Sequence, residues 1–229
     1  MRNTYTEKNL HILANELKTY SEQIKAGGKL RVSISYKNTK MGPVPSVSLL
    51  PYLTCPTICR ETCGPECYAA KLAALRPSVR ATWARNTAIA LFDPASYWEQ
   101  VNAVIAGCRF FRFHVSGDIP SAEYFAEMVR AARNHPKCDI LVFTKQYRIV
   151  NRFKAAGGRI PKNLHILFSG WENLKPDNPY HFPETNVFEK KAIPDPSWKL
   201  CGRNCFNCAC RGVGCWQAKK GDTIAFEKH

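Results

Sequence analysis

The chain has 229 residues, 45% of them hydrophobic, with 12 Phe, 9 Tyr and 5 Trp, enough for a full core without disulfide staples. Its 33 Lys and Arg against 18 Asp and Glu leave a net charge of +15. That balance suits either a solvated basic surface or contact with a phosphate-rich partner, nucleic acid above all. No apolar run approaches a membrane span, and the charged N-terminus (MRNTYTEKNLHIL) has no signal-peptide core, so the expected setting is the cytoplasm without a membrane partner.

In a reducing compartment, clustered cysteines are more often metal ligands than disulfides. Nine of the eleven cysteines fall in two windows, Cys55–Cys67 and Cys201–Cys215. Cys108 and Cys138 stand alone beside apolar runs and are expected in the core.

Residues 5–26 carry Leu10, Leu13, Leu17, Tyr20 and Ile24 at helical spacing, which predicts an amphipathic helix. Thr4 and Glu7 form its capping box, and Gly27-Gly28 ends it. Leu30 to Tyr36 (LRVSISY) alternates like a strand and leads through a Gly/Pro-containing loop into the first cysteine window. Tyr68 to Phe92 reads as helix, restarted at Pro77, and Asp93-Pro94 opens a further helix with Trp98, Val101 and Ile105 on one face.

A strand–helix alternation follows. RFFRFHV (109–115) ends in Ser116-Gly117-Asp118, and Ser121 caps the next helix. DILVF (139–143) ends in Thr144-Lys145, with a helix from about Gln146 to Ala156. LHILF (164–168) ends in Ser169-Gly170-Trp171. This pattern predicts βαβ units, a mainly parallel sheet and an α/β fold of partial (β/α) barrel type with four strands. Glu172 to Trp198 is Pro-rich and reads as an ordered connection to the cysteine-rich C-terminal segment. The expected organisation is one domain: a helix over 1–29, an α/β core over 30–171, and the Pro-rich and cysteine-rich segment over 172–229.

In such folds ligands sit beyond the C-terminal strand ends, which places SGD, TK and SGW on one rim with the first cysteine window. Thiolates at this spacing suit zinc or an iron–sulfur cluster. The first window has no C-x2-C knuckle and the second has one, Cys205–Cys208, so zinc stays open for the second. The candidate metal ligands are Cys55, Cys59, Cys63, Cys67, Cys201, Cys205, Cys208 and Cys215. One cluster is expected, and the number of thiols allows two.

The segments TCP…CYA around Cys55 and Cys67, FRFHVSGDIP (110–120), FTKQY (143–147), NLHILFSGW (163–171), NPY (178–180) and the ending C-x3-C-x2-C…GCW…G…F…H resemble the phage and prophage iron–sulfur proteins related to gene product eighty-eight. That family looks like a distant relative of radical-SAM enzymes. The resemblance implies a [4Fe–4S] cluster in a radical-SAM-like partial barrel, in a bacterial host's cytoplasm, with no settled activity.

Radical-SAM enzymes carry C-x3-C-x2-C after the first strand and Gly-Gly-Glu after the second. Here Cys59, Cys63 and Cys67 are C-x3-C-x3-C, and the corresponding element is Ser116-Gly117-Asp118, which makes these three the candidate cofactor contacts. S-adenosylmethionine is a candidate ligand by this analogy. Asp118, Lys145 and His114 are the candidate catalytic residues. Asp118 equally suits a helix N-cap, Lys145 suits an anion contact or a snorkelling surface position, and His114 and His165 suit satisfied core positions; His229 is the last residue. Three functions compete: a radical-SAM-like redox enzyme of unknown substrate, a [4Fe–4S] hydrolase or hydratase using iron as Lewis acid without S-adenosylmethionine, and a nucleic-acid-binding module with a structural cluster or zinc. The last rests on the +15 charge and on Trp171, Trp198 and Trp216.

Overall fold

The computed structural model describes residues 3–189, 192, 195–202 and 204–228, so His229 lies outside the described residues. The strands are β1 (Ser46–Val47), β2 (Phe110–Phe113), β3 (Asp139–Thr144), β4 (Leu164–Ser169), β5 (Glu184–Phe188), β6 (Lys199–Leu200) and β7 (Thr223–Glu227). Among the described residues these seven form one sheet in the order β1-β2-β3-β4-β5-β7-β6, and every neighbouring pair is parallel. The sheet is open, with β1 and β6 at its edges.

Helix α1 (Glu7–Lys25) precedes the sheet. Helices α2 (Tyr68–Leu75), α3 (Pro77–Phe92) and α4 (Pro94–Ala106) connect β1 to β2. Helices α5 (Ala122–Asn134) and α6 (Tyr147–Ala155) make the next two crossovers, and α7 (Cys205–Cys210) lies between β6 and β7. The starts follow from local chemistry. Pro77 and Pro94 sit where a missing N–H costs nothing. Asp93 and Ser121 accept hydrogen bonds from the Ser96 and Tyr124 N–H groups, at 3.2 and 3.1 Å.

Alternation along the central strands divides the core. Phe111, Phe113, Ile140, Val142, Ile166 and Phe168 meet Trp98, Tyr124 and Phe125 of the helices. Phe110, Leu141 and Leu167 belong to the other cluster, where Ala209, Trp216 and Ile224 of the C-terminal segment cover them. Burying each large side chain contributes about 1.5–3 kcal/mol, so both covers are held by the same effect.

Three expectations are corrected. LRVSISY is not a regular strand: only Ser35 pairs, in an isolated antiparallel bridge to Ser46. The N–H groups of Val32 and Ser33 instead donate to Gln100 Oε1 (2.9 Å) and Asn86 Oδ1 (2.8 Å), side chains of α4 and α3. The strand that feeds the first cysteine window is therefore β1. Helix α1 is capped by Thr6, whose hydroxyl accepts from Asn9 N at 3.2 Å, whereas the Thr4 hydroxyl donates to Gly64 O at 2.8 Å. The Pro-rich connection contains β5, and the C-terminal segment adds β6 and β7, so the sheet has seven strands among the described residues and not four.

Candidate metal centre

Two short 3-10 turns, Thr57–Arg60 and Gly64–Glu66, fold the first cysteine window into a compact loop after β1. At Gly64 a Cβ would sit 2.3 Å from Cys59 O, so only glycine allows this closure. Tyr52 O–H donates to Gly64 O (3.0 Å) and to the Thr4 hydroxyl (2.9 Å), which ties the N-terminal segment to the loop. The Cys59 thiol lies within electrostatic reach of Cys55 and of Cys63. Cys67 is turned differently: its sulfur accepts from Ala70 N at 3.5 Å and caps α2.

Burial and a neighbouring thiol favour the protonated form at Cys59 and Cys63, although Cys63 itself pulls Cys59 the other way. The Cys55 thiol comes first among the causes that push Cys59 upward, and the Cys59 thiol does the same for Cys63, with burial adding to both. Burial leads for Cys67. Lys145 opposes the rise at all three, so its ammonium is within electrostatic reach of the loop. Among the described residues no three Cys, His, Asp or Glu groups are set to hold one metal ion. Metal binding at either cysteine window therefore requires the thiols to shed protons and turn. As a donor set, three thiols on one loop beside a lysine are of the type that soft metals and iron–sulfur clusters take.

The strand ends converge as the alternation implied. Gly117 lies at φ +76°, and a Cβ there would meet Thr54 Oγ1 at 2.6 Å and Leu49 O at 2.9 Å. The exit of β2 thus lies directly against the segment leading to Cys55. Asp118 N donates to Thr54 Oγ1 at 3.0 Å. The Asp118 carboxylate accepts from Ile119 N (2.7 Å), Thr144 Oγ1 (2.6 Å) and Lys145 N (2.8 Å), so it joins the exits of β2 and β3. Burial outweighs these bonds and raises its pKa from 3.8 to about 6. Lys145 Nζ donates to Ser169 Oγ at 2.7 Å and lies 5.7 Å from the Trp171 ring centre, bringing the exit of β4 to the same place.

Of the remaining candidates, Ser116 is buried with an unpartnered hydroxyl, and its carbonyl accepts from Leu49 N at 3.0 Å. His114 adopts φ +57° and is buried. Its Nε2 pairs with Tyr124 O–H at 3.0 Å, and Tyr124 pairs with Tyr97 at 2.6 Å. Burial, then Arg112, lowers the His114 pKa to about 3, so the imidazole is neutral at pH 7. His165 pairs with Asp139 at 3.0 Å. Cys138 is buried, and the Cys108 thiol donates to Val104 O at 3.1 Å.

The second cysteine window lies on the sheet face away from α3–α6. Cys201, Cys205, Cys208 and Cys215 pack against the cluster of Phe110, Leu141 and Trp216, whereas Cys210 is exposed. Arg112 of β2 reaches this group, its Nη1 donating to Cys205 Sγ at 3.6 Å, and its guanidinium also stacks 4.6 Å from the Phe143 ring centre. Sequence reading missed Arg112. The signal was present, because RFFRF puts Arg112 on the same side as Phe110. A second missed residue is Lys228, whose side chain is 7% exposed and pairs with Glu172 (2.8 Å), Glu189 (2.8 Å) and Glu66 (3.3 Å). Burial opposes its charge, but those carboxylates prevail and hold its pKa above the ordinary lysine value. Glu66 lies between Cys63 and Cys67, so the C-terminal end of the described chain braces the first loop. A cleft of about 600 Å³ opens elsewhere, lined by Leu164, His165, Tyr180 and Cys215, and contains none of the rim residues.

A parallel open sheet with a thiol-bearing loop on its C-terminal rim, and a second thiol group on one face, defines an α/β protein with two candidate metal centres. The chain belongs to the gene product 88 family, whose model matches residues 10–223. No curated protein and no solved structure matches it. Among the described residues no helix is long and apolar enough to cross a membrane.

Proposed function

We propose that the protein is an iron–sulfur enzyme of radical-SAM-like type, with a [4Fe–4S] cluster on the rim loop and S-adenosylmethionine as the ligand to test first. The observation that carries this reading is the folding of Cys55, Cys59 and Cys63 into one compact loop, with Cys59 and Cys63 within electrostatic reach of Lys145 and Cys67 engaged as the cap of α2. Three thiolate ligands leave a cubane one iron without a cysteine. Bound there, the cluster would supply one-electron reduction and a coordination position for an exogenous ligand.

The chain's own residues have definable roles around it. Lys145 offsets part of the charge of the thiolates. Asp118 holds the Lys145 backbone in place and, with both oxygens engaged inside the chain, joins strand ends rather than reaching outward. Trp171, between Lys145 and Lys228 at 5.7 and 5.4 Å, forms an apolar wall beside the loop.

The test is anaerobic purification with iron and sulfide analysis, followed by EPR and product analysis of the reduced protein with S-adenosylmethionine. A reduced signal that changes on addition, with cleavage to 5′-deoxyadenosine, supports the reading. Iron with an unchanged signal turns it toward the Lewis-acid hydrolase. Absence of iron, with salt-sensitive binding to DNA or RNA, turns it toward the nucleic-acid module.

A further inference from the structure

The C-terminal cysteine window is a site in its own right. Cys215 is within electrostatic reach of Cys201, Cys205 and Cys208, and of Arg112. The backbone is shaped around Cys208: a Cβ at Gly202 would lie 2.9 Å from its sulfur, and one at Gly214, which adopts φ +64°, would lie 3.6 Å away. The Gly202 N–H points to that sulfur, and Arg112 Nη1 to the Cys205 sulfur at 3.6 Å. The first turn of α7 is pinned twice. Phe206 N donates to Met41 O at 2.9 Å, and Trp216 Nε1 donates to Cys205 O at 3.0 Å. Cys210, one short helical step further on, is exposed. Four of the five cysteines of this window thus pack on the sheet and the fifth faces solvent.

We propose that Cys201, Cys205, Cys208 and Cys215 bind one zinc ion in a closed tetrathiolate shell that fastens residues 201–217 to the sheet. Four thiolates from one short segment fill a tetrahedral shell and leave no position for substrate, which is the pattern of a structural zinc site. The shell would carry excess negative charge, and Arg112 with the Gly202 N–H are the donors that stabilise thiolate sulfur from outside it. The rim residues Asp118, Lys145 and Ser169 belong to the other loop. The bound segment leads into β7 and on to Lys228, so zinc here would also steady the brace on Glu66. This proposal is independent of the iron–sulfur reading of the first window.

The experiment is metal analysis of the protein and of four variants, with cobalt substitution as a second readout. About one zinc per chain is expected in the wild type, kept in Cys63→Ala and in Cys210→Ser and lost in Cys208→Ser. Cobalt(II) added to the chelator-treated chain should give intense thiolate charge-transfer and tetrahedral d–d bands, weakened in Cys208→Ser. Iron and sulfide that persist in Cys63→Ala but are lost in Cys208→Ser, zinc that survives both Cys208→Ser and Cys215→Ser, or zinc lost with Cys63→Ala would each overturn the proposal. If Cys208→Ser does not fold, the cobalt spectrum of Cys63→Ala decides: tetrahedral thiolate bands of wild-type strength uphold the site, and their loss or weak octahedral bands refute it. Iron lost in Cys63→Ala reports only on the first window, so the two readings fail separately.

Discussion

Asp118 offers the sharpest perturbation, because its carboxylate joins two strand exits while burial penalises its charge. Its folded-state pKa of about 6 lies above the ordinary 3.8. Folding therefore favours the protonated acid, and that contribution is fully present below pH 3.8 and is lost as pH rises through 6. At about 1.4 kcal/mol per pKa unit, the difference amounts to about 3 kcal/mol. Asp118→Asn removes the titration and keeps an acceptor for Thr144 and Ile119. Urea denaturation of both proteins at pH 4 and pH 7.5 should show the stability gap moving by about 3 kcal/mol in favour of Asn as pH rises. Asp118→Ala leaves Thr144 Oγ1 and the Ile119 and Lys145 N–H groups without their acceptor, at about 1–3 kcal/mol for each group that water does not reach. A gap between wild type and Asn that is flat with pH would refute the buried-carboxylate reasoning, and an Ala variant within about 0.5 kcal/mol of wild type would refute its joining role.

Gly117→Val places a side chain in a left-handed backbone against Thr54 and Leu49, and should cost about 2–5 kcal/mol in chemical denaturation; an unchanged midpoint would mean the β2 exit is not packed on the cysteine loop. Tyr124→Phe removes the partner of both His114 and Tyr97, so a loss of about 1–3 kcal/mol is expected, and the His114 imidazole should become easier to protonate by NMR titration only if water enters. Lys228→Met leaves Glu66, Glu172 and Glu189 without their shared cation. The melting temperature should fall at low ionic strength, and the fall should narrow in high salt; equal falls in both conditions would count against the ionic brace.

Much of the fold is local and was legible. Pro77, Asp93 with Pro94, and Ser121 mark helix starts by chemistry that acts within four residues, and the structure places α3, α4 and α5 there. The three central strands, β2, β3 and β4, announce themselves as apolar runs because both faces are covered. LRVSISY misled because alternation reports a half-buried extended chain, whereas its partners are the amides of Asn86 and Gln100, far away in sequence. The strands β5 and β7 are five residues each, and Thr185 and Asn186 break the apolar pattern, so pairing with each other and with β4 sets their conformation. At the site, the rim of Asp118, Lys145 and Ser169 followed from the rule for strand ends. The division of cysteines into a trio on the rim loop, a helix cap and a separate group of four depends on loop geometry that spacing does not encode. Arg112 and Lys228 gain their roles only from elements brought together by the sheet.

The central claim is that the rim thiols hold an iron–sulfur cluster. The direct measurement is Mössbauer spectroscopy with iron and sulfide analysis of anaerobically reconstituted protein, on the wild type and on Cys59→Ala with Cys63→Ala. The account predicts about four irons and four sulfides per chain with cubane parameters in the wild type, and their loss in the double variant. Wild-type protein without iron, or a double variant with the same cluster, would contradict it.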